Sequence, residues 1–230
     1  MWNITWPLVS AIWSEGGRLT TKDYSPVTLD DPVAVEVLTA FQKLVEEGAA
    51  VMPDAASGGH RAAFINGQAS MILDSPAPFE QIMESAVGFT PAVAAYPAGS
   101  AGKAYAPGGG GLAMLSTAPE ENRAAAWGFM KFMLSSEQIA RYAERSGYMA
   151  FTDASRECAG DWIHEDGRAT IHEALPHLRG DFSLNMSPAL RNAFDEAFQR
   201  IMIEMAGVRE TLEAADARAE AALVDERRGR

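Results

Sequence analysis

The segment that decides the fold reads Phe64-Ile65-Asn66-Gly67-Gln68-Ala69-Ser70-Met71-Ile72-Leu73. We predict a short helix over His60–Asn66, because the Asn66-Gly67 pair that follows is typical of a tight turn. The run Ala69–Leu73 after the turn is short and apolar, as expected of a buried strand. A helix, a turn and a buried strand in immediate succession indicate an α/β architecture.

Upstream of this segment, Asp31 and Pro32 predict the start of a long helix. Asp is a favoured N-cap residue, and Pro is favoured at the first helical position. Apolar residues follow at helical spacing, namely Val33, Val37, Leu38, Phe41, Leu44 and Val45. Gly48 is a stop signal, so the helix is predicted to end near Glu47.

Downstream, a helix is predicted over Phe79–Ser85 and a strand over Phe89–Tyr96. The glycine run Gly108–Gly111 precedes a second short apolar segment, Leu112–Leu115, which we interpret as a buried strand. Together with Met71–Leu73, this strand is expected to belong to a small mixed sheet flanked by helices.

The remaining sequence is predicted to be mainly helical. A helix begins at Pro119 and reaches about Leu134, and Ser135 with Gln138 has the pattern of a capping box for the next helix, which Gly147 ends. Further helices are predicted at 161–178, 188–205 and 208–224, the last with a packing stripe of Leu212, Ala215, Ala219 and Leu223. With no repeat and no linker, one domain is the simplest interpretation.

Charge and composition exclude several classes of protein. The chain has 31 acidic and 19 basic residues, a formal net charge of -12, so we expect no nucleic-acid partner. The basic end Glu226–Arg230 is interpreted as a solvated terminus. No stretch reaches the ~18 to 20 apolar residues that span a bilayer, and Met1–Pro7 has no signal-peptide character.

No catalytic, metal or cofactor site can be derived from the motifs. The Gly108–Gly111 run is not followed by the Lys-Ser/Thr of a Walker loop. His164, His172 and His177 are spaced too irregularly for one helix face to hold a zinc ion, and are interpreted as surface polar residues. The single cysteine, Cys158, has no visible histidine partner and is interpreted as a free structural thiol.

Several segments taken together resemble the C-terminal half of the family 1 extracellular solute-binding proteins of ABC importers. The matching segments, in the order the family has them, are Trp13–Gly17, Asp31–Gly48, Phe64–Met71, Gly108–Gly109, Ala126–Met130, Ser135–Gln138 and Ser146–Ala150. The resemblance covers about Trp2 to Val224. It implies that residues 1–230 form the C-terminal lobe of a type II periplasmic binding protein, with the N-terminal lobe and signal peptide absent and a periplasmic location.

Within that family, the turn Gly147–Ala150 and the helix segment Arg191–Glu196 resemble the members that bind glycerol 3-phosphate. The resemblance implies ligand contacts from Ser75, Gly109, Tyr148 and Arg191, with Trp2 or Trp6 stacking on the ligand. Arg191 would supply a charge-assisted fork to a phosphate, and the others would supply hydroxyl or backbone donors. One departure is Met149-Ala150, where those members have Leu-Pro.

The function implied by the resemblance is a solute-binding component that delivers a small ligand to the membrane permease subunits of an ABC importer. The ligand is expected to be glycerol 3-phosphate or a glycerophosphodiester, and the chain is not expected to be an enzyme. A neutral sugar or oligosaccharide is the alternative ligand. An enzyme acting on a phosphorylated small molecule and a partner-binding module remain as other hypotheses. A lobe without its counterpart is also expected to expose an interlobe face and to self-associate.

Overall fold

The computed structural model of the chain describes residues 5–20, 27–52, 59–165, 167–180 and 188–228. These residues form ten α-helices: α1 (Thr5–Ser14), α2 (Pro32–Glu46), α3 (Gly59–Ile65), α4 (Phe79–Ser85), α5 (Glu120–Met133), α6 (Ser136–Glu144), α7 (Asp153–Ala159), α8 (Arg168–Glu173), α9 (Pro188–Ile203) and α10 (Val208–Arg228). Two short 3-10 helices cover Gly160–His164 and Leu175–His177. No helix in the described ranges is both long and apolar enough to cross a membrane.

The chain divides into two compact units. The first is built from Met1–Asp74, Tyr96–Pro107 and His177–Arg230, and the second from Ser75–Ala95 and Gly108–Pro176. The sequence suggested a single domain because it contains no recognisable linker. In the structure the chain passes between the two units four times, so no single linker separates them. The assignment of residues 1–230 to one lobe of a two-lobed protein stays a prediction.

Helix α2 shows how the local sequence sets an element of the first unit. The Asp31 carboxylate accepts a hydrogen bond from the Val33 amide at 2.8 Å, and Pro32 occupies the first position of the helix. This N-cap satisfies one of the amides that a helix start leaves without a partner. The helix ends at Glu46, close to the predicted end at Glu47, and its inner face buries Ala34, Val37 and Leu38.

The core of the first unit lies between α1, α2, α9 and α10. Fully buried residues are Leu8, Ile12, Leu38, Phe194, Ile201 and Leu212. The predicted stripe of α10 is confirmed, since Leu212, Ala215 and Ala219 are buried and Leu223 packs against the same cluster. Burial of this apolar surface is the main favourable term for the fold of the unit.

The second unit has a much smaller core, formed by Ala140, Ala159 and Ile163 with Trp162 packed against them. Helix α5 contributes no buried residue. Its Trp127 is 53% exposed and its Phe129 57% exposed, although side chains of this size are usually covered in a folded domain. Exposed apolar surface is therefore prominent in this unit, and its assignment to an interlobe face stays a prediction.

The predicted mixed sheet is not found in the described part of the chain. No regular secondary structure is found in the three predicted strands, Met71–Leu73, Phe89–Tyr96 and Leu112–Leu115. The described residues form only isolated β-bridges, such as the one between Tyr105 and Leu178. Met71 is 84% exposed, so the prediction that it lies in a buried strand is wrong. A short apolar run indicates a tendency to form a strand, but a strand also needs a neighbour with which to exchange hydrogen bonds.

Two predicted helix boundaries are also corrected. Ser135 precedes α6 but makes no side-chain cap, because its hydroxyl donates to the Phe132 carbonyl at 2.8 Å. A capping box instead begins α7, where Thr152 and Ser155 exchange hydrogen bonds. The weak helix predicted over 161–178 is broken into two 3-10 helices and α8, separated by a left-handed Gly167 with φ of 80°.

Candidate functional site

Arg191 lies on α9 of the first unit, against the aromatic ring of Trp6. Its guanidinium carbon is 5.4 Å from the centroid of the Trp6 ring. Helix α1 carries Trp6, and the indole N–H donates to the Pro107 carbonyl at 3.1 Å, which fixes the ring orientation. The cation and the aromatic face are thus held together by two helices and one loop.

Asp195 follows Arg191 by one helical turn. The distance from Arg191 Nε to Asp195 Oδ2 is 3.8 Å, which is an ion pair but too long for a hydrogen bond. The side chain of Arg191 is 29% exposed and that of Asp195 is 17% exposed, and Arg191 Nε has no hydrogen-bond partner among the described residues. We refer to Trp6, Arg191 and Asp195 as the Arg191 cluster.

The Arg191 cluster combines two kinds of polar binding group in one place. The guanidinium donates hydrogen bonds to phosphate or hydroxyl oxygens, and the carboxylate accepts them from hydroxyl groups. The Trp6 ring lies under the guanidinium and packs against the core of the first unit, so it supports the arginine. A donor and an acceptor of these kinds suit a polyol or its phosphate ester.

Tyr148 lies in a compact turn of the second unit, after α6. Its amide donates to Ser146 Oγ at 3.2 Å, and that hydroxyl donates to the Tyr142 carbonyl at 2.7 Å. The rings of Tyr142 and Tyr148 lie 5.5 Å apart between centroids. Two residues of the turn, Ser146 and Tyr148, are therefore joined by hydrogen bonds to each other and to the end of α6.

Gly147 brings this turn against the segment that carries Ser75. A Cβ atom on Gly147 would overlap the Pro76 carbonyl and lie 3.0 Å from Phe79 Cβ. Only glycine permits this approach of two backbones. Two predicted site residues, Ser75 and Tyr148, are consequently in neighbouring segments of one unit.

The other predicted contacts are Gly109 and Arg191. Gly109 is exposed in a loop of the second unit, and a Cβ added there would meet no atom within 4 Å. Arg191 belongs to the first unit. Trp2, the other aromatic candidate, lies outside the described residues.

The histidines are only partly the surface residues that the sequence predicted. His164 is exposed, but His172 is half-buried, with Nε2 accepting from the Ala150 amide at 3.1 Å and Nδ1 donating to the Arg168 carbonyl at 2.8 Å. The bond accepted by Nε2 requires the neutral ring, and burial lowers the pKa of His172. The prediction that it is a surface residue is wrong because residues distant in sequence cover it.

Two residues were missed by sequence reasoning. The spacing of Asp195 four residues after Arg191 is the usual signal of a helical ion pair and could have been read from the sequence. Arg168 has partners scattered along the second unit and gives no local signal.

Within the described ranges no group of His, Cys, Asp and Glu could hold a metal ion, and the Cys158 thiol is free and exposed.

Comparison of the sequence with protein families finds one match. The sequence profile of the bacterial extracellular solute-binding proteins matches residues 3–170. A search of curated proteins finds no match.

Similar solved structures also exist. UgpB from Mycobacterium tuberculosis in complex with glycerophosphocholine is 21% identical with a TM-score of 0.83, over 97% of this chain and 56% of that one. A solute-binding protein of an ABC transporter from Thermotoga lettingae, bound with alpha-D-tagatose, is 21% identical with a TM-score of 0.76, over 94% of this chain and 56% of that one. The cyclic alpha-maltosyl-1,6-maltose binding protein from Arthrobacter globiformis is 22% identical with a TM-score of 0.69, over 96% and 56%.

At these identities the likeness shows the fold. The chain spans about 56% of the length of each of these three proteins.

Proposed function

Because the chain belongs to the bacterial extracellular solute-binding proteins, we propose that it acts as a solute-binding component of an ABC importer and delivers a small ligand to the membrane permease subunits. The family consists of binding proteins rather than enzymes, so the prediction that the chain is not an enzyme is confirmed. Its place of action in this proposal is the periplasm or an equivalent extracytoplasmic space.

The proposed ligand is a glycerophosphodiester, with glycerol 3-phosphate as the related monoester. The observation that carries this proposal is the Arg191 cluster, in which a guanidinium lies over an aromatic face. The Asp195 carboxylate lies 3.8 Å from Arg191 Nε and partly offsets the positive charge of the guanidinium. A diester carries a single negative charge and a monoester close to two at neutral pH, so the carboxylate favours the diester.

The remaining proposed ligand contacts come from Ser75, Tyr148 and Gly109. The two hydroxyl groups and one backbone amide are donors suited to phosphate oxygens or to the hydroxyl groups of glycerol. Contact between Gly147 and Pro76 supports a shared role for Ser75 and Tyr148. The similar structure from M. tuberculosis was solved with glycerophosphocholine, which is a ligand of this chemical class.

A neutral sugar is the second candidate ligand. Asp195 is a hydrogen-bond acceptor next to the donor Arg191, and a neutral polyol uses both groups without the repulsion that an anion meets from the carboxylate. The structure from T. lettingae contains alpha-D-tagatose, which is a neutral sugar.

The test measures binding of glycerophosphocholine, glycerol 3-phosphate and maltose to the purified chain by isothermal titration calorimetry and thermal shift. Our proposal expects a raised melting temperature with glycerophosphocholine, a weaker effect with glycerol 3-phosphate and none with maltose. A preference for maltose would mean that the ligand is a neutral sugar and would overturn the proposal of a phosphate ligand. Absence of binding to all three would refute ligand capture by this chain.

A further inference from the structure

Arg168 is the most highly connected charged side chain that the proposed ligand contacts leave unexplained. It is the first residue of α8, in the second unit, and its side chain is only 11% exposed. One guanidinium nitrogen donates to the Ala143 carbonyl at 3.0 Å and lies 3.4 Å from the Ser146 carbonyl. The other donates to the Glu144 carbonyl at 2.7 Å and to the Glu80 carboxylate.

Three of these acceptors belong to the end of α6 and the turn after it. The last carbonyls of a helix have no partner within the helix, and a cation placed there also interacts favourably with the helix dipole. The planar fork of an arginine reaches several such oxygens at once, which a lysine ammonium cannot do in the same geometry. Arg168 thus fixes the direction in which the chain leaves α6.

The same guanidinium lies between two aromatic rings that come from different parts of the unit. Its carbon is 5.2 Å from the centroid of Phe79 and 4.9 Å from that of Trp162. Phe79 begins α4, and its Cβ faces Gly147 of the turn. The arginine therefore connects α4, the end of α6 and the 3-10 helix Gly160–His164.

We propose that Arg168 is a positioning residue for ligand binding, which holds the Ser146–Tyr148 turn against Pro76 so that the Tyr148 and Ser75 hydroxyls face a common ligand. The inference rests on the proposed function for the roles of Tyr148 and Ser75. Arg168 does not contact the ligand in this proposal. It acts through the backbone carbonyls that it binds.

A conservative variant separates positioning from general stability. Arg168→Lys keeps one positive charge near Glu80 but loses the fork. The matched control is Arg145→Gln, since Arg145 is exposed and is the residue that follows α6. Hydrogen exchange followed by NMR reports the Tyr148 amide, and the Ile139 amide, bonded to the Ser135 carbonyl at 2.9 Å, serves as a reference.

In Arg168→Lys we expect exchange of the Tyr148 amide to become about tenfold faster, with the Ile139 amide changed by less than about threefold. Arg145→Gln is expected to leave both amides unchanged. Equal acceleration at both amides would assign Arg168 to general stability and overturn the proposal, as would unchanged exchange at Tyr148.

Binding supplies an independent second measurement. Glycerophosphocholine is expected to bind Arg168→Lys roughly tenfold more weakly than the parent chain, and to bind Arg145→Gln equally well. An unchanged affinity in Arg168→Lys would overturn the ligand-positioning role. If the parent chain does not bind glycerophosphocholine, the proposed glycerophosphodiester ligand fails, whereas the exchange measurement still decides whether Arg168 holds the turn.

Discussion

The Arg191 cluster makes a prediction about charge preference that can be worked from its geometry. Arg191 Nε lies 3.8 Å from Asp195 Oδ2. A phosphate oxygen bound on the far side of the guanidinium adds a further ~2.9 Å, so the phosphate and the carboxylate are separated by about 7 Å. At that distance each negative charge of the ligand meets repulsion of roughly 0.6 kcal/mol in water and about 2.4 kcal/mol at an effective dielectric constant of ~20.

Asp195→Asn removes this repulsion while leaving an amide of the same shape. A monoester carries about one more negative charge than a diester. The ratio of affinities for glycerol 3-phosphate and glycerophosphocholine should therefore shift towards glycerol 3-phosphate by about threefold to sixtyfold. Arg191→Gln should weaken both ligands by about tenfold to a hundredfold, since a hydrogen bond to a charged group contributes roughly 1.5 to 3 kcal/mol.

The assay is calorimetric titration of each variant with both ligands at low ionic strength, where screening is weakest. Helix α9 supplies a matched control, because Arg200 and Glu204 have the same spacing, with 3.7 Å between Nε and Oε2, on a more exposed part of the chain. Glu204→Gln should leave the affinity ratio unchanged. An unchanged ratio in Asp195→Asn, or an equal shift in Glu204→Gln, would refute the role of Asp195.

Four further predictions concern stability and association. The Asp216 carboxylate accepts a hydrogen bond from the Leu29 amide at 2.7 Å, and burial raises its pKa. Because the folded state disfavours the ionised carboxylate, Asp216→Asn should raise the melting temperature at neutral pH. This advantage should disappear as the pH falls towards the ordinary aspartate pKa, where the parent carboxyl is protonated. Because burial lowers the pKa of His172, stability by urea denaturation should fall as the pH drops below about 6.5, and His172→Gln should lack this loss. Leu212→Ala should cost about 2 to 5 kcal/mol in the same assay, since Leu212 is fully buried. Trp127→Lys should reduce self-association in light scattering while changing stability by less than about 0.5 kcal/mol.

The elements that could be predicted from the sequence are those with local signals. Asp31 and Pro32 define the start of α2 through one side chain and one fixed dihedral angle, and both act within a few residues. Phe79–Ser85 was predicted with the bounds that the structure shows. Helix α1 was not predicted, although its Leu8 and Ile12 are fully buried in the core of the first unit.

Predictions that depended on distant partners fared differently. A strand over Leu112–Leu115 needed a neighbouring strand that the described residues do not supply. The groups around the Arg168 side chain are 6 to 89 residues away in the sequence, and most of them lie beyond the reach of any periodicity. For the candidate ligand residues Ser75 and Tyr148, the structure shows a close approach of their chain neighbours Pro76 and Gly147, which depends on the glycine.

The sequence Met149-Ala150, which was compared above with Leu-Pro, allows a hydrogen bond that a proline would not. A proline at position 150 would fix the backbone but could not donate a hydrogen bond. Ala150 has an amide, which donates to Nε2 of His172, and the opposite ring nitrogen is held by the Arg168 carbonyl. The backbone of Arg168 thus fixes the residue after the turn and its side chain fixes the residues before it. Arg168 therefore restrains both ends of the turn that carries Tyr148, in which position 150 is alanine rather than proline.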